Sequence, residues 1–268
     1  MTEERRIALL GAGRMGQAVL SGLLAAGQDP ADLAVSERSA PTAQVVTEKY
    51  QVATVSAAEA VSGADAVVVV VKPNDVPGLL DEISPHLDPR TVVLSLAVGL
   101  TTSALAAHLP TGTPLVRVMP NTPALVGAGM SVISPSAGTS EGAVAVARSV
   151  MAAVGEVREI PESLQDAATA VHGSGPAYFF HVVEAMVDAG VMLGLPRDLA
   201  RDLAVQTIVG AGQMLAQTGE SAGTLREQVT SPGGTTAAAL FQLDAGGVRA
   251  SFARAMQACR DRAAELGS

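Results

Sequence analysis

The stretch Ile7 to Gly16 reads IALLGAGRMG, and the reading of the whole chain works outward from it. Ile7 to Leu10 is an apolar run short enough for a buried parallel strand. Gly11, Gly13 and Gly16 then supply GxGxxG where a helix is due to begin. Gly11 lets the chain turn sharply, Gly13 removes the Cβ that would block a pyrophosphate, and Gly16 lets the new helix pack on the strand. The helix N-terminus points amides and partial positive charge at phosphates. An apolar helix from about Arg14 to Ala26 and a second strand ending near Ser36 complete the βαβ unit that a dinucleotide site requires. A purely structural glycine turn is the alternative.

The chain has 268 residues, enough for one large or two modest domains. With 48% hydrophobic and 16% charged residues it reads as a folded protein. A net charge of -9 without a Lys/Arg block argues against nucleic acid. Aromatic residues make up 2% and Trp is absent, so the core is expected to be Ala, Val and Leu, without base-stacking platforms. The sole cysteine, Cys259, is expected to be a packing or surface residue in a reducing compartment. No metal-ligand cluster is expected. The N-terminus lacks the apolar stretch of a signal peptide, and no run of about 18 apolar residues suggests a membrane span, so a soluble, cytoplasmic protein is expected.

Further strands are expected at Leu33 to Ser36, Val52 to Val55, Ala66 to Val71, Val92 to Leu96, Leu115 to Met119, Gly129 to Ile133 and Glu156 to Ile160. Helices are expected at Pro41 to Tyr50, Ala57 to Val61 capped by Ser56, Thr101 to Leu109 and Ser140 to Ala153. An acid at the end of the second strand would favour the ribose diol of NAD, whereas hydroxyl and guanidinium groups suit the 2′-phosphate of NADP. Ser36 stands where the acid usually falls, Glu37 is one step late, and Arg38 can reach a phosphate or stack on adenine, which favours NADP. The alternative is that Glu37 and Arg38 are solvated loop charges. Lys72 and Pro73 follow a central strand at the carboxyl edge, where such sheets bind ligands. Ala97 follows the next strand. The segment MPNTP, Met119 to Pro123, holds Asn121 and Thr122 in a rigid loop at the same edge, suited to a nicotinamide ring or simply a proline turn.

Strand signals stop at residue 160, which divides a dinucleotide-binding domain, 1–160, from a helical domain, 161–268. The fold expected is α/β: an N-terminal Rossmann domain with a doubly wound, mostly parallel sheet, followed by an all-α dimerisation domain. Apolar helices such as 182–194 and 203–215 would expose large patches on a monomer, so a homodimer or larger assembly is expected. Within this half, VTSPGGTTA places Ser231, Gly233, Gly234, Thr235 and Thr236 at the start of a helix with bare amides, a geometry suited to a carboxylate or merely to a glycine hinge. His172 lacks an acid to orient it, HGSGP is not a nucleophile elbow, and the helical half has no lysine. A carboxylate pocket with hydroxyls but no strong acid or base suits reduction of a protonated C=N bond. A threonine need only hold the nitrogen in place.

GAGRMG, VVKPNDV, SLAVGL, VRVMPNTPALVGAGM, HGSGPAY and LREQVTSPGGTTAAAL, in this order, resemble the pyrroline-5-carboxylate reductase family over residues 6–266. The resemblance implies reduction of L-1-pyrroline-5-carboxylate to L-proline with NADPH, or with NADH as the other cofactor. It also implies a helical domain that interlocks with a partner's, so that the active site joins one subunit's cofactor domain to its partner's helices. Higher rings such as a decamer are a further implication. By motif, Gly11, Ala12, Gly13, Arg14, Met15 and Gly16 bind the pyrophosphate, Ser36 and Arg38 the 2′-phosphate end, and Val71, Lys72, Pro73 and Ala97 line the cofactor. Asn121 and Thr122 lie by the nicotinamide. Ser231, Gly233, Gly234 and Thr235 hold the substrate carboxylate, and Thr236 faces the ring nitrogen as the catalytic residue. The chain departs from the family after its third strand, where Ser56, Ala57 and Ala58 replace a frequent asparagine. Two other readings stay open: an NADP-dependent imine or hydroxy-acid reductase with another substrate, for which His172 or Asp166 would serve as acid, and a non-catalytic nucleotide-sensing module.

Overall fold

The computed structural model describes residues 5–266. Its elements run β1 (Ile7–Leu10), α1 (Arg14–Ala25), β2 (Leu33–Ser36), α2 (Ala40–Val45, continued by a π-helical turn at Val46–Tyr50), β3 (Ala53–Thr54), α3 (Ala57–Val61), β4 (Ala66–Val69) and α4 (Val76–Ile83). They continue with β5 (Val92–Ser95), α5 (Thr102–Ala106), β6 (Leu115–Met119), β7 (Gly129–Pro135), α6 (Glu141–Ala152), β8 (Gly155–Glu159) and α7 (Gln165–Ala168). The helices α8 (Gly175–Met192), α9 (Arg197–Thr218), α10 (Ala222–Gln228), α11 (Thr235–Ala245) and α12 (Val248–Leu266) complete the chain.

Eight strands form one sheet in the order β3-β2-β1-β4-β5-β6-β7-β8. All pairings are parallel except β6 with β7. That exception has a geometric cause, because residues 120–128 are too few for a crossover helix and the chain must double back. Strand alternation sends Ile7 and Leu9 to one face and Ala8 and Leu10 to the other. The first face is covered by Val19, Leu20 and Leu23 of α1 and by Ala147, Val150 and Met151 of α6. The second is covered by Ala60 and Val61 of α3, Val76, Leu80 and Ile83 of α4, and Leu105 of α5. A sheet covered on both faces explains why β4 is an unbroken apolar run.

The expected strand at Ala66 to Val71 ends at Val69, and that at Val52 to Val55 narrows to Ala53–Thr54. The helix expected over Thr101 to Leu109 is Thr102–Ala106, capped by the Thr101 hydroxyl. Ser56 caps α3 through a reciprocal bond with Glu59, as the sequence suggested. Three short helices, α4, α7 and α10, lie outside the sequence expectations.

Gly175–Ala258 form one compact unit and the rest of the described chain the other. By contacts, residues 161–174 and 259–266 thus belong with the sheet. Residues 161–174 stay with the sheet through polar contacts that periodicity cannot reveal. Arg117 of β6, its side chain 9% exposed, lies 3.3 Å from Glu162 and 3.7 Å from Asp166. Glu162 also accepts hydrogen bonds from the Thr102 amide and hydroxyl, at 2.7 and 2.6 Å. Buried Gln165 donates to Ser134 Oγ at 2.9 Å.

In the helical unit α8 packs on α9 through Val187, Ala200 and Ala204, with Gly190 allowing close approach to Ala200. Tyr178 meets Phe252 edge to face at 6.2 Å. Phe179, Phe180, Met192, Leu193 and Phe241 are exposed, an apolar surface far larger than isolated side chains produce.

Partial burial opposes the charge on Glu162, but the Thr102 hydroxyl and amide and the Arg117 guanidinium outweigh it and hold the carboxyl below the ordinary glutamate range. A folded pKa below the unfolded one stabilises the protein above the unfolded value, and this contribution is lost as pH falls through the folded value. Glu162→Gln is expected to cost about 1–3 kcal/mol at neutral pH, the scale of hydrogen bonds to a charged group. It should also flatten the acid limb of stability. Denaturant titrations of both proteins across that limb check both effects.

Candidate active site

The strand order reverses about β1, which lies between β2 and β4, and ligands of such sheets bind beyond the carboxyl ends of the strands at this point. The glycine-rich turn sits there. Gly11 has φ +102 and its amide donates to Ser36 O at 2.8 Å, which ties the turn to the end of β2. A Cβ on Gly16 would come within 2.2 Å of Gly11 O, so α1 lies against the turn as only glycine allows. Nothing lies within 4 Å of the missing Cβ of Gly13, whose side opens to the cleft. The cradle thus fits a pyrophosphate where a Cβ would stand.

Beside the turn lies a cavity of about 560 Å³. Gly11, Gly13, Ser36, Arg38, Val71 and Lys72 line it, as the sequence led us to expect. Ala12, Arg14, Met15 and Gly16 belong to the turn or to the first residues of α1. Pro73, Ala97, Asn121 and Thr122 do not line this cavity. Ala97 is buried on the α3–α4 face.

Glu37 is the residue that sequence reasoning left aside. Its Oε2 accepts from the Ala12 amide at 2.7 Å and its Oε1 from the Ser39 amide at 2.8 Å. It is therefore no solvated loop charge, and it holds a carboxylate over the glycine turn. Asp75 and Glu82 also line the cavity, and Arg38 Nη2 lies 2.7 Å from Asp75 Oδ2.

Asn121 braces its loop. Its Nδ2 donates to His172 O at 3.0 Å, and its Oδ1 accepts from the Met130 amide at 2.8 Å. The ring of His172 is fixed in turn, with Nδ1 2.6 Å from Ala168 O and Nε2 2.9 Å from Met119 O. MPNTP and HGSGP are thus locked to each other. Thr122 is exposed on the same loop. Asp166 lies at Arg117, so neither residue considered as an alternative acid stands unengaged. Cys259 Sγ is 3.1 Å from Ser174 Oγ, a packing position.

In the helical unit, Gly233 turns with φ +68 and Gly234 is the N-cap of α11 in extended conformation, without a side-chain cap. Gly13 stands in the same way before α1, extended and without a side-chain cap. Helices α3, α5, α6 and α10 differ, for Ser56, Thr101, Ser140 and Ser221 cap them by side-chain oxygens. The first amides of α1 and α11 are thus left for another acceptor. Ser231 and Thr235 are exposed and Thr236 half-buried at that end. Among the described residues no group of His, Cys, Asp and Glu could hold a metal, and no helix is long and apolar enough to cross a membrane.

Comparison with known proteins matches both halves of this arrangement. Residues 162–266 match the family described as pyrroline-5-carboxylate reductase dimerisation, and residues 6–99 one described as NADP oxidoreductase, coenzyme F420-dependent. A pyrroline-5-carboxylate reductase of Corynebacterium melassecola is 42% identical over 97% of this chain and 98% of its own length. That of Escherichia coli is 37% identical over 98% of each. The structure of a pyrroline-5-carboxylate reductase from Coxiella burnetii superposes with a TM-score of 0.95 at 36% identity, covering 99% of this chain and 100% of that one. The Plasmodium falciparum enzyme with NADP bound gives 0.88 at 28% identity, with full coverage of both. Identity of this extent, over 97% of this chain and 98% of the relative's length, means that the chain belongs to the pyrroline-5-carboxylate reductase family.

Proposed function

We propose that this chain carries out its family's reaction, reduction of the protonated imine of L-1-pyrroline-5-carboxylate to L-proline, the last step of proline biosynthesis, with the roles divided as follows. The observation that carries this reading is the pair of glycine-capped helix starts, one in each unit. The turn Gly11, Ala12, Gly13, Arg14, Met15 and Gly16 holds the pyrophosphate of NADPH, the cofactor favoured, and NADH is also accepted. Ser36 and Arg38 face the 2′-phosphate end, Val71, Lys72 and Pro73 with Ala97 line the cofactor, and Asn121 and Thr122 position its nicotinamide end. The lock between Asn121 and His172 supports the last role, because it fixes the loop that must hold the ring still.

When bound, the reduced nicotinamide supplies a hydride. Ser231, Gly233, Gly234 and Thr235 hold the substrate carboxylate at the start of α11, and the Thr236 hydroxyl orients the ring nitrogen. The nitrogen already carries its proton, so the chain need not deliver one at the reacting carbon, and orientation is its main contribution. His172 and Asp166 are engaged elsewhere, which disfavours the hydroxy-acid reductase reading. The exposed apolar faces of the helical unit support a homodimer, with a ring such as a decamer as its larger assembly. We place the enzyme in the cytoplasm, where its free Cys259 suits a reducing compartment.

Absorbance at the reduced-nicotinamide band, with pyrroline-5-carboxylate and NADPH or NADH in parallel, tests the reaction. Oxidation with proline as product is expected, and cofactor binding without turnover would instead favour a sensing module. Thr236→Ala is expected to lower kcat by about 10- to 100-fold, the scale of a lost orienting contact, while leaving the NADPH dissociation constant within twofold. Single-turnover and binding titrations separate the two effects. Gly13→Ala and Gly16→Ala should part company. The former should keep its melting temperature and lose cofactor affinity, whereas the latter should lower the melting temperature because its Cβ meets Gly11 O.

A further inference from the structure

The cofactor cavity has an unusual charge balance for a site that prefers a 2′-phosphate. Glu37, Asp75 and Glu82 line it against Arg38 and Lys72. Arg38 leaves the end of β2 and Asp75 stands at the turn before α4, so their 2.7 Å ion pair joins two walls of the cavity. Glu37 is the nearer carboxylate in sequence, but its oxygens accept the Ala12 and Ser39 amides. Asp75 is thus the carboxylate paired with the guanidinium expected to meet the phosphate.

We propose that Asp75 is a cofactor-specificity residue: by holding Arg38 across the adenosine end of the cavity, it restrains the preference for NADPH over NADH. This rests on the reading above that Arg38 faces the 2′-phosphate. A dianionic phosphate entering beside Arg38 shares that cation with Asp75 and meets two further carboxylates. A free ribose diol meets neither penalty. Exposure keeps the effect small, for the Arg38 side chain is 78% exposed and that of Asp75 37%.

The experiment is calorimetric titration of the full-length enzyme with 2′,5′-ADP and with ADP. It is run on the wild type, Asp75→Asn, Arg38→Ala and the double variant, and thermal melts verify folding. Asp75→Asn is expected to raise the affinity ratio of 2′,5′-ADP to ADP by about two- to fivefold, the range of an exposed ion pair. The rise should vanish when Arg38 is also replaced. An unchanged or lower ratio overturns the proposal, and so does a rise that persists without Arg38. Arg38→Ala alone reports on the underlying assignment: if it leaves the ratio unchanged, Arg38 does not meet the 2′-phosphate and both readings fall. If it lowers the ratio while Asp75→Asn does not raise it, only the role of Asp75 falls.

Discussion

The close approach of α1 to the turn that precedes it is the contact on which the cofactor half depends. Gly11 turns in a conformation that other residues resist, and Gly16 lies where any side chain would strike the Gly11 carbonyl. These two positions fix the axis of α1 over β1, and that axis aims the first amides of the helix at the switch point of the sheet. Gly13 differs in kind, because no protein atom occupies the space its side chain would fill. Two glycines serve the fold and one leaves space open beside the cleft, although the sequence spells all three alike.

Much of this was legible in the residues. Buried strands such as β1, β4 and β5 announce themselves as continuous apolar runs, and all eight strands lie where the sequence places them, with ends shifted by at most two residues. Helix α4 was hidden because it is short and opens on Pro77 and Gly78, which read as a turn. The attachment of residues 161–174 to the sheet is hidden for another reason. It rests on Arg117, a cation in the otherwise apolar strand LVRVM, and its partners Glu162 and Asp166 lie more than forty residues away in the chain. A buried guanidinium without an acid would be costly, so its presence in the sequence implied a partner without saying which.

The candidate site divides along the same line. The glycine turn and the SPGGTT helix start are local features, and their chemistry follows from neighbours in sequence. Glu37 is not local, because its carboxylate reaches back twenty-five residues to the Ala12 amide. The same holds for Asn121, whose bonds to His172 and Met130 turn a proline-rich loop into part of a braced pair. In both cases residue type was informative and partner identity was not.

At Ser56, Thr101, Ser140 and Ser221 a side-chain oxygen accepts an amide of the first turn of its helix. At Gly13 and Gly234 that oxygen is missing, and the extended backbone leaves the amides facing outward. A serine at either position would supply such a cap. The arrangement also fits a reaction that needs no strong acid. An already protonated imine asks for little beyond placement, which is the role proposed for the two helix starts and the Thr236 hydroxyl.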